Sequence, residues 1–345
     1  MNIGIVGATG YGGADLIRIL QNHPEVDSLQ LYSSSQPGEP IRDSFPHLQR
    51  LPEAGLQEID PVSMGKSLEV VFMATPAGIS SELTPELLAE GLRVIDLSGD
   101  FRIKDSKIYE TWYGKKPAPP EWVAKAVYGL TEWTKEEIRD AQLLANPGCY
   151  PTATLLGLLP LAQRSLLKQN SIIIDAKTGV SGAGRGFSTA THFSETNENF
   201  KVYKVNRHQH TPEIEQELSR WNQQVEPVTF SPHLVPMTRG IMATIYAEVT
   251  ESTMEEELRK TFQDSYRNAP FVTVREAGNF PETKQVYGSN QCDIGISYDE
   301  RTGRITIVSV IDNLMKGAAG QAVQNFNVMF GFDETTGLGL LPVYP

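Results

Sequence analysis

Cys149 stands in the stretch Asn146-Pro-Gly-Cys-Tyr-Pro-Thr152, and an apolar run from Ala153 to Leu159 follows it. Pro151 and Thr152 read as the start of a helix, which puts Cys149 on a Pro/Gly turn at that helix's N-terminus. The helix dipole favours negative charge there, so the thiol would ionise readily and serve as a nucleophile. Gly148 would let a substrate approach, and Asn146 could donate a hydrogen bond to a developing oxyanion. A buried, inert thiol is the commoner fate of a cysteine, and Cys292, which has no such flanks, is read that way. A thiolate needs a proton partner. Arg207-His-Gln-His-Thr-Pro-Glu213 offers His208 and His210, which face the same side if the segment is extended. Either ring could move a proton or orient a substrate, with Arg207 nearby for an anion; a solvated loop before a helix near Pro212 has the same composition. Arg239, beside the turn at Gly240, is a second candidate anion ligand.

A second constellation lies at the start of the chain. Gly7-Ala-Thr-Gly10-Tyr-Gly-Gly13 has the spacing G-x-x-G-x-x-G, between the apolar run Asn2–Val6 and a helical pattern from Ala14 to Asn22. In that context Gly7 turns the chain sharply, and Gly10 lets the backbone approach a pyrophosphate. The helix then points its free N–H groups at the anion. Thr9, Tyr11, Gly12 and Gly13 complete the turn. After the second strand, Leu29–Tyr32, an acidic residue would bind a ribose 2′-hydroxyl. The chain has Ser33, Ser34 and Ser35 instead, which suits a 2′-phosphate and favours NADP(H). A third loop, Thr178-Gly-Val-Ser-Gly-Ala-Gly-Arg185, reads as an anion or nicotinamide cradle through Ser181, Gly182 and Ala183, or as a flexible hinge.

The elements that must carry these groups alternate. Strand-like runs at Leu68–Ala74 and Val94–Leu97, separated by helical segments such as Ser81–Glu90, continue the pattern through about residue 145. That predicts a parallel sheet covered by helices on both faces, a Rossmann-like α/β domain. Longer strands then dominate: Ile172–Ala176, Val228–Ser231, Ala243–Val249, Asp293–Ser297 and Arg304–Ile311. A few helices interrupt them, including Glu255–Tyr266 after a Ser252-x-x-Glu255 capping box. This predicts an α+β domain with a mostly antiparallel sheet; by fold-level analogy such a sheet serves as an oligomer interface, which makes this the expected catalytic and dimerisation domain. A last helix, about Lys316–Met329, has small residues near its start. The expected division is 1–148, 149–313 and 314–345, the last piece returning to the cofactor domain.

The chain has 345 residues, enough for two domains. Its net charge of −12 makes nucleic acid and anionic membranes poor partners. Two cysteines cannot make a disulfide framework and suit a reducing compartment. No secretory leader or membrane-spanning run is evident, so the cytosol is expected. Two other readings compete: a zinc protein built on Cys149, His208 and His210, and a non-catalytic NADP sensor.

Taken together, the motifs resemble the N-acetyl-γ-glutamyl-phosphate reductases of arginine biosynthesis, in the aspartate-semialdehyde-dehydrogenase-like superfamily. The matching pieces are Gly7–Gly13, Asp96-Leu-Ser-Gly-Asp-Phe-Arg102, Asn146–Thr152, Ser181–Arg185, Arg207–Glu213, Val235–Gly240 and Asp312-Asn-Leu-Met-Lys-Gly317. Reductases of aspartyl phosphate and of carrier-bound aminoadipyl phosphate are similar in architecture but differ around the cysteine. The resemblance implies that Cys149 attacks an acyl phosphate, inorganic phosphate leaves, and hydride from NADPH reduces the thioester to an aldehyde. It implies that Ala74 to Gly78, including Pro76, together with Ser98 and Asn313, lie near the nicotinamide. Without a Cys-x-x-Cys pair no metal is expected, and by fold-level analogy a homodimer or homotetramer is. One departure stands out: no arginine adjoins Gln36, where the family often has one.

Overall fold

The computed structural model describes residues 1–49, 51, 55–250 and 253–344. The chain forms two compact units, Met1–Pro147 with Ala318–Gly339, and Gly148–Gly317 with Leu340 onward. This differs from the expected third piece at 314–345. Residues 314 and 315 stay with the second unit because the Asp312 carboxylate accepts both of their N–H groups. The tail rejoins that unit, where the Val343 N–H donates to the Tyr287 carbonyl at 2.9 Å.

The first unit contains β1 (Asn2–Val6), α1 (Tyr11–Leu20), β2 (Ser28–Tyr32), α2 (Ile41–Ser44), α3 (Pro61–Ser67), β3 (Val70–Met73), α4 (Ser80–Ala89) and β4 (Arg93–Asp96). It continues with α5 (Ser106–Tyr113), α6 (Pro120–Lys125), β5 (Val127–Tyr128), α7 (Thr131–Arg139) and β6 (Leu143–Ala145). The six strands form one sheet in the order β2-β1-β3-β4-β6-β5, every pair parallel. Parallel strands covered on both faces must be apolar throughout, and Ile3, Ile5, Val70, Val71, Phe72, Val94 and Ile95 have no exposed surface. The strand order reverses at β1, which has β2 on one side and β3 on the other. The crevice at their carboxyl ends is where such sheets bind ligands.

The second unit contains α8 (Cys149–Gln163), β7 (Ile173–Thr178), α9 (Phe193–Thr196), β8 (Lys201–Val202), α10 (Thr211–Trp221), β9 (Thr229–Leu234) and β10 (Ile241–Glu248). It continues with α11 (Glu255–Tyr266), β11 (Val272–Val274), β12 (Cys292–Asp299) and β13 (Arg304–Ile311). The sheet order is β11-β12-β13-β10-β7-β9-β8. The sheet is mixed: β7 pairs with β9, and β11 with β12, in parallel, while the other pairings are antiparallel. Alternate residues of β10, from Ile241 to Ala247, are buried under the helices. α8 is apolar on every side and buried from Tyr150 to Ala162, as a central helix must be. A β carbon on Gly157 would lie 3.0 Å from Ile245 Cδ1, so this glycine lets α8 sit close to the sheet.

Several boundaries differ from expectation for local reasons. α8 begins at Cys149, before Pro151, because a proline in the first turn gives up an N–H that has no partner inside the helix. α11 has Met254 at its N-cap with no side-chain cap, and Ser252 of the expected capping box lies outside the described residues. The last helix opens with a π turn, Met315–Ala319, in which Gly317 N–H reaches the Asp312 carbonyl, and becomes α12 (Gly320–Met329). α12 is stitched to its own unit by buried amides: Asn327 to His23, Asn325 to the Gly129 carbonyl, and Gln324 to Glu132. Among the described residues no helix is long and apolar enough to cross a membrane.

Candidate active site

Cys149 is the first residue of α8, preceded by Gly148 in an extended conformation at the N-cap. No acidic residue lies in the first turn, so the dipole of a 15-residue helix acts on the thiol unopposed from its own helix. Cys149 is partly exposed, whereas Cys292 is buried beside Ser309 in the β12–β13 pair; both are thiols. Three neighbours fix the turn. The Gly148 N–H donates to Oε1 of Glu213, which lies on α10 and has no exposed surface. A β carbon on Gly148 would lie 2.6 Å from Nε2 of His210, so that imidazole edge rests on the residue before the nucleophile. A β carbon on Gly317 would lie 2.8 Å from Cβ of Cys149, so the π turn packs against the cysteine itself. The π turn widens the helix where the close approach is needed.

The two histidines are not equivalent. His208 is 5% exposed, edge-on to Tyr150, Tyr203 and Phe230. Its Nδ1 accepts the backbone N–H of His210 at 3.2 Å, which fixes that nitrogen as the unprotonated one. Burial, with a lesser contribution from Lys204, pulls its pKa down to about 3. His208 is therefore neutral at any ordinary pH and acts as a support. His210 is partly exposed, at the N-cap of α10, with its ring 4.8 Å from that of His208. Tyr203 Oη donates to Tyr150 Oη at 3.1 Å, and burial pushes both phenols well above their ordinary range, so both are neutral donors.

The anion ligands also separate. Arg207 is exposed at the surface. Arg239 is 22% exposed and lies 3.6 Å from the fully buried Asp312. Asn313 Oδ1 accepts the Gly240 N–H at 2.8 Å, and its Nδ2 donates to Ser181 Oγ at 3.0 Å. The Arg239 turn and the Ser181-Gly182-Ala183 turn are thus tied to the end of β13 through Asp312 and Asn313. Their backbones are joined as well, Val180 N–H to the Met237 carbonyl and Ser181 N–H to that of Thr238.

In the first unit the glycine turn follows β1 and enters α1. A β carbon on Gly7 (φ +86°) would lie 2.4 Å from the Ala74 carbonyl oxygen, and one on Gly13 2.5 Å from that of Gly7. Neither position admits a side chain. The N-terminus of α1 has Gly10 as its cap, no side-chain cap and no acidic residue in its first turn. That is the donor set a pyrophosphate needs. Thr9 lies in the turn itself, and Tyr11 and Gly12 open the first turn of α1. Ser33 is buried, with its hydroxyl 3.3 Å from that of Ser35; Ser34 and Ser35 are exposed. Gln36 accepts a hydrogen bond from Ser44 on α2. Ala74 and Pro76 lie in the segment after β3, and Ser98 in the loop after β4, where its Oγ accepts the Asp100 N–H. These residues fit a dinucleotide with a 2′-phosphate.

The geometry gives Asn146 another role than the expected oxyanion donor. It has no exposed surface; its amide donates to the Ala318 carbonyl and accepts from Asn325, and its own carbonyl accepts from Arg102. It braces the end of β6 within the first unit. Glu213, Gly317 and Asp312 were passed over in the sequence as sites. Each lay inside a recognised motif, but a glutamate on a helix, a glycine or an aspartate in a turn carries no signal until its partner is known. Among the described residues no group of three or more His, Cys, Asp or Glu stands ready to hold a metal ion.

Residues 2–141 match the family described as semialdehyde dehydrogenase, NAD binding domain, and residues 149–313 match semialdehyde dehydrogenase, dimerisation domain. The chain is 61% identical to an N-acetyl-γ-glutamyl-phosphate reductase of Geobacillus sp. and 59% identical to one of Halalkalibacterium halodurans. Both matches cover the full length of both chains. Among solved structures, aspartate semialdehyde dehydrogenase II of Vibrio cholerae superposes with a TM-score of 0.71 at 18% identity, over 95% of this chain and 97% of that one. The aspartate semialdehyde dehydrogenase of Candida albicans, solved with NADP, gives 0.68 at 16% identity, over 95% and 98%; at such identities the likeness is one of fold. By its full-length identity, the chain belongs to the family of N-acetyl-γ-glutamyl-phosphate reductases.

Proposed function

We propose that the protein reduces N-acetyl-γ-glutamyl phosphate to N-acetylglutamate 5-semialdehyde and inorganic phosphate, with NADPH, in arginine biosynthesis. The observation that carries this reading is Cys149 at the first residue of a buried helix, with the Nε2 edge of His210 against Gly148, in a chain of that family.

The chemistry of its own residues is as follows. His210 takes the thiol proton, and the thiolate, favoured by the α8 dipole, attacks the acyl carbon. The S–C bond forms, the C–O bond to phosphate breaks, and His210 returns its proton to the departing phosphate. The product is a thioester on Cys149. Bound NADPH supplies the hydride. The resulting thiohemiacetal alkoxide collapses to the aldehyde, and the thiolate recovers a proton from solvent through His210, so one proton is consumed overall. Glu213 holds the Gly148 amide and hence the direction of the thiol. Arg239, anchored by Asp312, binds the substrate's anionic group. Ser33, Ser34 and Ser35, with no carboxylate among them, support preference for the 2′-phosphate of NADPH.

A cytosolic homodimer or homotetramer is the form we expect. The dimerisation-domain match and the two thiols support it. The test is phosphate-dependent reduction of NADP⁺ by the purified protein. N-acetylglutamate semialdehyde should be oxidised far faster than aspartate semialdehyde, and the opposite order would overturn the substrate assignment.

A further inference from the structure

Two helices begin at the ligand-binding end of the first unit's sheet, on either side of the strand-order reversal: α1 after β1, and α4 after β3. They are finished in opposite ways. The N-terminus of α1 has no side-chain cap and no acid. That of α4 is filled by Asp100, a residue of another loop. Its carboxylate accepts the Gly78 N–H at 2.9 and 2.8 Å, the Ser81 N–H at 2.9 Å and the Tyr109 hydroxyl at 2.7 Å. Glu82 adds a second acid to the same turn.

The clamp is itself braced. Asp100 is 1% exposed, and its own N–H donates to Ser98 Oγ. Tyr109 stacks on Tyr113 with ring centres 4.6 Å apart. Gly99 has φ +105°, and a β carbon there would lie 2.8 Å from the Tyr113 hydroxyl. Arg102 donates to the Leu97 and Asn146 carbonyls, fixing the far end of the same loop. Burial, and then the charge of Asp100, raise the carboxyl of neighbouring Asp96.

We propose that Asp100 is a positioning residue for the dinucleotide. It occupies the α4 N-terminus, so a pyrophosphate has only the α1 N-terminus to bind. It also holds the segment from Ala74 to Gly78 as a fixed wall of the crevice, along which the half of the cofactor beyond the pyrophosphate lies. The adenosine half, near the serines after β2, does not depend on it. This rests on the dinucleotide reading above.

The test is equilibrium titration of Asp100→Asn with two ligands: NADPH, and adenosine 2′,5′-bisphosphate, which carries only the adenosine half. The amide keeps the size but loses the charge and one acceptor. NADPH affinity should fall about tenfold, the loss expected for a charge-assisted hydrogen bond, while the fragment binds as in the wild type. Tyr109→Phe removes one donor and keeps the charge; it should move the ratio of the two affinities the same way by less. An unchanged ratio in both variants, whether because both ligands are lost alike or neither is, would overturn the proposal, since a purely structural role weakens both together. A wild-type protein that binds neither ligand would instead overturn the dinucleotide reading, and this proposal with it.

Discussion

Replacing the two histidines one at a time should separate the proton carrier from its support. His210→Ala removes the ring that lies against Gly148, and the turnover number should fall by roughly 10²- to 10⁴-fold, the usual worth of a general acid–base group. His208 cannot do that work. With its pKa held at about 3 by burial, roughly one ring in 10⁴ is protonated at pH 7. Its contribution is the Nδ1 that accepts the His210 N–H. His208→Asn, which keeps an acceptor oxygen, should lose only about tenfold in turnover, the worth of a single displaced hydrogen bond. The pH dependence of activity should survive in that variant and lose a limb in His210→Ala. Stability gives a second readout with a definite sign. A folded pKa below the unfolded value of 6.5 means that the neutral ring stabilises the fold above about pH 6.5. That contribution is lost as pH falls toward 3, on the order of 3–5 kcal/mol at about 1.4 kcal/mol per unit. Urea melts between pH 7 and pH 4 should show a steeper loss in the wild type than in His208→Asn. The assignment is wrong if His208→Asn loses as much turnover as His210→Ala, or if its acid sensitivity equals that of the wild type.

Three further substitutions follow from the same geometry. Glu213→Gln weakens the buried hydrogen bond that holds the Gly148 N–H, so turnover should fall about tenfold, whereas full activity would detach Glu213 from the thiol. Gly317→Ala puts a methyl 2.8 Å from Cys149 Cβ, so melting should show a loss of about 1–3 kcal/mol and turnover should fall with it; a fully active, equally stable variant would mean that the π turn does not constrain the cysteine. Arg239→Ala should raise the KM for the acyl phosphate at least tenfold, about 1.4 kcal/mol, with kcat little changed, and Arg207→Ala should do neither, since Arg207 is exposed; equal effects of the two would refute the choice of Arg239.

The parallel sheet was legible in the sequence because strands buried on both faces must be continuously apolar, and Asn2–Val6, Val70–Met73 and Arg93–Asp96 lie within or close to runs of that kind. The glycine turn was legible because Gly7 and Gly13 tolerate no side chain. The two-residue strands β5 and β8 and the three-residue β11 were not, being too short for any period to register. Within the site, residue type pointed to Cys149 and to the histidine pair, but the difference between His208 and His210 is one of burial and of a single backbone hydrogen bond. The same holds for Asn146: an amide next to a catalytic motif suggests a donor, while the bonds its buried side chain makes, to Ala318 and Asn325, leave no trace in the sequence. Glu213, Gly317 and Asp312 act through contacts 65, 168 and 73 residues away along the chain, to Gly148, Cys149 and Arg239, and no local pattern carries those pairings.

The central claim is that Cys149 carries an acyl group between phosphate release and reduction. The direct measurement mixes the protein with N-acetyl-γ-glutamyl phosphate in the absence of NADPH, follows phosphate release on the millisecond scale, and weighs the quenched protein by mass spectrometry. The account predicts a burst of one phosphate per active site, an added N-acetylglutamyl group on the peptide containing Cys149, and neither in Cys149→Ser. Phosphate release that requires NADPH, with no acylated peptide, or a burst that persists in Cys149→Ser, would contradict it.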